Sequence, residues 1–177
     1  MRSRKPSIVA AVIGLVVGGI AFAAPAPAAA PRSAGTAAVG DYDQLVNSTT
    51  HKCVDVLNRS KEIGARIHQW ECVGGPQQHW AAEPAASGNI ALRNLNSGLC
   101  MTGAIPFVNG AVVFQRECNP DNTNQWWHQD ADGGFFKLSH PSSGKCLDLN
   151  RGSTANGTKI QLWDCSTASN AQDWYFV

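Results

Sequence analysis

Residues 145–165 read KCLDLNRGSTANGTKIQLWDC, and QDW follows at 172–174. The segment contains two short runs with β-type alternation, separated by a cluster of Asn, Gly, Ser and Thr residues that favours a turn. The first run carries Asp148, and a carboxylate on a strand is costly to bury unless it accepts hydrogen bonds. The segment therefore predicts two strands and an aspartate that either another part of the chain or a ligand must satisfy.

This segment is one copy of a repeat. Trp80, Trp127 and Trp174 are spaced 47 residues apart, and each ends a Gln-x-Trp triplet. Leucines and glycines recur in steps of 46 or 47 residues, each eight residues before a cysteine: Leu45, Leu92 and Leu138, then Gly64, Gly110 and Gly157. A fixed period of this length indicates a repeat architecture.

The pattern predicts an all-β fold with pseudo-threefold symmetry. Each repeat contains about four short runs of strand type and little helical periodicity. The repeats span about 41–87, 88–132 and 133–177. A unit of this size cannot bury its own apolar face, so the three repeats must share one core.

Six cysteines fall in the repeats: Cys53, Cys72, Cys100, Cys118, Cys146 and Cys165. The basic and then apolar N-terminus is typical of an exported protein, in which an even count of cysteines favours disulfides. Equivalence of the repeats pairs Cys53 with Cys72, Cys100 with Cys118 and Cys146 with Cys165. Zinc is disfavoured because no Cys-x-x-Cys occurs and the histidines do not recur in step. We expect neither a metal nor a cofactor.

The segment at 145–165, together with the triplet at 172–174, resembles the ricin-type lectin repeat, also called carbohydrate-binding module family 13. Three such copies cover residues 43–177. The resemblance implies a β-trefoil, a six-stranded barrel capped by three hairpins, with the tryptophans of Gln-x-Trp in the core. It also implies that the aspartate accepts sugar hydroxyls, that an aromatic two residues before the second cysteine stacks on the sugar, and that the triplet's glutamine braces the aspartate.

The third repeat fits this pattern best, and its implied carbohydrate-binding residues are Asp148, Gln161, Trp163 and Gln172. Ala171 stands where the family usually has an asparagine that contacts the sugar, with Asn170 beside it. The alternative is that Trp163 is a core residue and Asp148 caps a turn.

The first repeat retains Asp55 and Trp70, with His68 in the place of Gln161. Its implied carbohydrate-binding residues are Asp55, His68, Trp70, Gln77 and Gln78. His68 and Gln77 can both hydrogen-bond a hydroxyl, although His68 could instead be a structural histidine.

The second repeat departs from the pattern. Thr102 stands at the aspartate position, Arg116 replaces the aromatic, and Phe114 takes the place of Gln161. Without an acceptor or a stacking ring, this repeat is expected to be structural. The resemblance therefore implies two sugar sites.

The N-terminus has the order of a secretory signal peptide: a basic start, an apolar run over residues 7–24 and small residues with Ala-x-Ala triplets. We expect a signal peptide over 1–23, with cleavage between 23 and 30, a flexible Ala/Pro-rich leader over 24–40, and the lectin domain over 41–177. An uncleaved membrane anchor is the alternative. The protein is then secreted, with no membrane association after cleavage.

Charge and length limit the remaining function classes. Without Arg2, Arg4 and Lys5, 11 basic residues face 13 acidic ones, which favours neither nucleic acid nor an anionic membrane as a partner. The three repeats use the whole domain, so no catalytic domain is expected. Together with the signal peptide, the family resemblance implies a secreted, non-catalytic lectin for galactose-type sugars or xylan-type polysaccharide, with a separately encoded secreted enzyme as a further candidate partner. The alternatives are a protein-binding trefoil, such as an enzyme inhibitor, and a small secreted glycosidase.

Overall fold

The computed structural model describes residues 41–132 and 134–177, and these residues form an all-β domain. The twelve strands are β1 Tyr42–Asn47, β2 Cys53–Val56, β3 Ile67–Trp70, β4 His79–Pro84, β5 Ile90–Asn94, β6 Cys100–Gly103, β7 Ala111–Arg116, β8 His128–Asp132, β9 Phe135–His140, β10 Lys145–Leu149, β11 Ile160–Asp164 and β12 Trp174–Phe176. The helices are six 3-10 turns: Leu57–Arg59, Pro76–Gln78, Ala86–Gly88, Thr123–Gln125, Asn150–Gly152 and Asn170–Gln172. Among the described residues, none of the helices is long and apolar enough to cross a membrane.

Six of the strands close into a barrel. Antiparallel pairing runs from β1 to β4, from β4 to β5, from β8 to β9, from β9 to β12 and from β12 back to β1. The contact between β5 and β8 is a short bridge, in which Ile90 and Trp127 exchange both backbone hydrogen bonds at 2.8 and 2.9 Å. The first and last strands are thus neighbours, and Gln44 and Val177 also exchange two backbone hydrogen bonds, each 3.0 Å long.

The other six strands form three hairpins: β2 with β3, β6 with β7, and β10 with β11. Each hairpin contacts the next in a cycle. The cross-repeat partners are Arg66 with Phe114, Val112 with Gln161, and Lys159 with His68. A barrel capped by three hairpins, four strands to a repeat, confirms the predicted β-trefoil.

The Gln-x-Trp tryptophans lie in the core, as expected. Trp80, Trp127 and Trp174 are each 0% exposed. Their indole N–H groups donate to main-chain carbonyls of the hairpins at 3.0, 3.3 and 3.1 Å. The acceptors are equivalent, since each is the residue after the first cysteine of its repeat: Val54, Met101 and Leu147. Each tryptophan therefore fills the core and joins the barrel to its cap.

The predicted disulfide pairing is confirmed. Cys53–Cys72, Cys100–Cys118 and Cys146–Cys165 are bonded, with Cα–Cα separations of 5.1, 5.0 and 5.0 Å. Each bridge joins the start of a hairpin to the residues just after it, and closing a loop of this length stabilises the fold by about 3 kcal/mol in the chain-entropy model.

Replacement of any of the three core tryptophans by alanine should damage folding. Each variant leaves a large cavity and an unpaired carbonyl, so we expect a loss of about 3–5 kcal/mol in the free energy of unfolding. Trp163→Ala is the matched control, because Trp163 is 43% exposed and its removal should cost about 1 kcal/mol or less. Urea unfolding followed by circular dichroism measures both. A core variant that unfolds at the wild-type urea concentration would contradict this assignment.

Candidate functional site

The third repeat brings Asp148 and two glutamines together. Asp148 lies on β10 directly opposite Gln161 on β11, and the carboxylate is 6% exposed. Gln161 Nε2 donates to Asp148 Oδ1 at 2.8 Å, and Gln172 Nε2 donates to Asp148 Oδ2 at 3.1 Å. Each carboxylate oxygen thus has one protein donor and can accept a further hydrogen bond.

Gln172 is itself fixed by the backbone. Its Nε2 also donates to the Asp164 carbonyl at 2.9 Å, and its Oε1 accepts from the Ser166 amide at 2.9 Å. The glutamine of this Gln-x-Trp therefore braces the carboxylate, as the resemblance implied, and holds the chain just after Trp163.

The surroundings of Asp148 destabilise the ionised form of its carboxylate. Burial raises the pKa of Asp148 above its ordinary value, while the hydrogen bonds from Gln161 and Gln172 and the positive charge of Lys159 pull this pKa down by less. The protein thus keeps a partly desolvated acceptor in place, which is expected of a residue that exchanges water for a ligand.

A cavity of about 570 Å³ opens above this carboxylate. Trp163 forms part of its wall and is 43% exposed, so the structure does not place this ring in the core. Ala171 lines the cavity, whereas Asn170 is not among the lining residues. Sequence reasoning missed several other residues that line it, among them Gly110, Arg151 and Lys159.

The first repeat builds a similar but smaller site of about 270 Å³. Asp55 is 5% exposed, His68 Nε2 lies 3.0 Å from its Oδ1, and Gln77 Nε2 donates to its Oδ2 at 3.2 Å. Trp70, 40% exposed, stacks on His68 with ring centroids 5.6 Å apart. Asp55, His68, Trp70 and Gln77 all line the cavity, together with Arg59, which sequence reasoning also missed.

Gln78 does not lie at the sugar site, where the resemblance placed it. It is fully buried and is not among the residues that line the cavity. Its Nε2 donates to the Glu71 carbonyl at 2.7 Å, and its Oε1 accepts from the Val73 amide at 2.8 Å. The bond to Asp55 comes from Gln77 instead, so Gln78 supports the loop behind the site.

The second repeat has the same hairpin, but different side chains stand at the aspartate and tryptophan positions. Thr102 is 2% exposed, donates to the Cys100 carbonyl at 3.0 Å and accepts from Gln125 Nε2 at 3.2 Å. Arg116 is exposed at the position of the tryptophan platforms. The hydroxyl is satisfied internally, and this position offers neither a carboxylate nor an aromatic face.

The part of the chain that the structure describes contains no group of three or more His, Cys, Asp or Glu residues arranged to hold a metal ion. The six cysteines are all in disulfides.

Residues 41–174 match the family model of the ricin-type β-trefoil lectin domain. The chain belongs to this family. A designed threefold-symmetric protein, ThreeFoil, is 30% identical with a TM-score of 0.73, and the match covers 77% of this chain and 97% of that one.

Two natural proteins contain a region that is similar to this domain. An exo-β-1,3-galactanase from Clostridium thermocellum is 29% identical with a TM-score of 0.73, and the match covers 79% of this chain but 31% of the galactanase. The ricin B-like lectin of Macrolepiota procera, solved with lactose, is 20% identical with a TM-score of 0.68, and the match covers 78% of this chain and 96% of that lectin. At this lower identity the likeness shows the fold alone.

The pH dependence of stability should have opposite signs at two aspartates of this lectin domain. The pKa of Asp148 is raised from 3.8 by burial, so the folded state holds this proton more tightly than the unfolded chain. The stability of the wild type relative to Asp148→Asn should therefore fall as pH rises from about 3.8 to the raised value, and then level off.

Asp164 provides the control. Its pKa is lowered from 3.8, chiefly by the hydrogen bond from Lys145. Stability relative to Asp164→Asn should accordingly be present above about 3.8 and be lost as pH falls through the lowered pKa. Urea unfolding of the three proteins across acidic pH measures both differences, and slopes of the same sign would contradict the assignment.

Proposed function

We propose that this protein is a secreted, non-catalytic lectin with two sugar sites, one in the third repeat and one in the first. A single observation carries the proposal. Two repeats each place a buried carboxylate, held by two side-chain groups, beside a tryptophan that is 40% or 43% exposed.

This arrangement suits a sugar chemically. A pyranose has hydroxyl donors around its rim and a weakly apolar C–H face. A carboxylate that accepts two hydroxyls makes charge-assisted hydrogen bonds, which are stronger than neutral ones. The exposed indole ring packs against the apolar face, where water is poorly held. Galactose-type sugars and xylan-type polysaccharide are the ligands we favour, in line with the family resemblance.

Two weak sites on one rigid domain favour a polymer as the ligand. A shallow site buries few atoms and must displace water from each hydroxyl, so a single site binds weakly. When one chain of a polysaccharide occupies both sites, the second binding event gains from a high effective concentration. The match to about a third of a galactanase chain supports a role beside a polysaccharide-degrading enzyme, which here would be encoded separately.

Secretion is supported by the N-terminal sequence and by three disulfides, which persist in oxidising compartments. Mass spectrometry of protein recovered from the culture medium would locate the cleavage site, expected between residues 23 and 30.

A glycan array that includes galactosides and xylo-oligosaccharides tests the proposed function. We expect binding to one of these classes and no hydrolysis of the bound glycan. If the folded domain binds no glycan on the array, the result counts against a lectin and favours a protein-binding trefoil.

Variants of the site residues test the number of sites. By calorimetry with the best monosaccharide of the array, Asp148→Ala and Asp55→Ala should each remove one of two binding events and weaken polymer binding by more than half. The double variant should be folded and inactive, because each site loses its acceptor. Thr102→Ala is the matched control and should change nothing. Normal binding by the double variant, or weaker binding by Thr102→Ala, would show that the sites are wrongly placed.

A further inference from the structure

A glycine of the neighbouring repeat lies beside the exposed tryptophan of each site, and at the third-repeat site this glycine also lines the cavity. Gly110, in the second repeat, donates its amide to the Leu162 carbonyl at 2.8 Å, and a Cβ at Gly110 would lie 4.0 Å from the Trp163 ring. Gly157, in the third repeat, donates to the Gln69 carbonyl at 2.9 Å, and a Cβ there would lie 4.0 Å from Trp70. We call residues 109–110 and 156–157 the wall loops.

An asparagine and a lysine clamp each wall loop onto the neighbouring repeat. Lys145 Nζ donates to Asn109 Oδ1 at 2.9 Å, and Lys52 Nζ donates to Asn156 Oδ1 at 2.6 Å. The two pairs are equivalent. Each asparagine precedes the wall glycine, and each lysine precedes the first cysteine of the next repeat.

The clamp of the third-repeat site reaches the residue beside its platform. Asn109 Oδ1 also accepts from the Asp164 amide at 3.0 Å, and Asn109 Nδ2 donates to Asp164 Oδ2 at 2.7 Å. Asp164 follows Trp163 on β11, so Asn109 fixes the strand next to the exposed ring.

The boundary between the first and the second repeat has no such clamp. Ile63 occupies the asparagine position, and Leu99 occupies the lysine position. Gly64 still donates its amide to the Gln115 carbonyl at 2.8 Å, but no atom lies within 4 Å of where its Cβ would be. This boundary faces the repeat that carries Arg116 in place of a tryptophan.

The backbone hydrogen bond of the glycine is therefore a feature of the fold, whereas the asparagine–lysine clamp is present where a candidate site is present. All three boundaries keep the glycine amide bond, so the trefoil closes without an Asn–Lys pair. Among the three repeat boundaries that the structure describes, the pair is found at the two that adjoin an exposed tryptophan. A stacking platform must be held in place before the ligand arrives, because ordering it on binding costs affinity.

We infer that each sugar site spans a repeat boundary, with Asn109 and Asn156 as positioning residues for Trp163 and Trp70. The second repeat, although it lacks a site of its own, supplies a wall residue and the asparagine of the clamp to the site of the third. This inference rests on the proposed function for its consequence in binding, but the positioning itself can be measured without a ligand.

The first arm uses NMR of the mature domain without sugar. The indole N–H signals of Trp163 and Trp70 are assigned from Trp163→Phe and Trp70→Phe. Asn109→Ala should shift the Trp163 signal and leave that of Trp70 unchanged, and Asn156→Ala should do the reverse. Ile63→Ala, the matched control at the unclamped boundary, should shift neither.

The second arm measures affinity one site at a time, with lactose and xylohexaose as probes. In the Asp55→Ala background, which retains only the third-repeat site, Asn109→Ala should weaken binding by about threefold to tenfold, the effect of losing one or two hydrogen bonds. Asn156→Ala should do the same to the first-repeat site in the Asp148→Ala background. Ile63→Ala should leave both affinities and the melting temperature unchanged.

The two arms separate this inference from the proposed function. If the wild type binds neither probe, the NMR arm alone decides the inference. Selective shifts of the two indole signals support it. Two results with Asn109→Ala would overturn it. One is an unchanged Trp163 signal, and the other is a shift of both tryptophan signals together with a lower melting temperature.

Discussion

The hydrogen bond from each buried indole to the carbonyl after the first cysteine fixes the rest of the structure. In the third repeat this bond joins Trp174 on the barrel to Leu147 on the hairpin. Side chains alternate along a strand, so the residues on either side of Leu147, Cys146 and Asp148, point away from the core side chain. One then forms the disulfide and the other the base of the cavity. Core, bridge and carboxylate are therefore set by the register of a single strand, and the same arrangement recurs in the other repeats.

The fold was predictable because the features that create it are periodic. The 47-residue step of the tryptophans and the equivalence of the cysteines specify three like units, and neither depends on knowing where distant residues meet. The site was less accessible. Adjacent residues of a 3-10 turn point in different directions, so the sequence could not decide whether Gln77 or Gln78 would reach Asp55. The wall residue Gly110 lies more than 50 positions from Trp163, and only closure of the trefoil brings them together.

Fold and site are separable in this domain. Thr102 shows that the aspartate position can lose its charge while the glutamine of the triplet keeps a polar partner there. At Asp148, by contrast, burial raises the pKa and thereby disfavours the ionised form of the carboxylate. A buried carboxylate of this kind costs stability, and such a trade-off is common at functional sites. The second repeat thus keeps its share of the core although it carries neither the carboxylate nor the exposed tryptophan of the other two repeats.

The mutual backbone hydrogen bonds of Gln44 and Val177 have a further consequence. Because the two ends of the described domain are paired on neighbouring strands, they lie close together, and a short linker could join them. The molecule could then be opened in the turn between any two repeats, giving circular permutants that begin with the second or the third repeat. Each permutant would keep the order in which the repeats contact one another. The gene therefore decides which repeat comes first along the chain. In the folded domain, each repeat contacts the next in a cycle that has no first member.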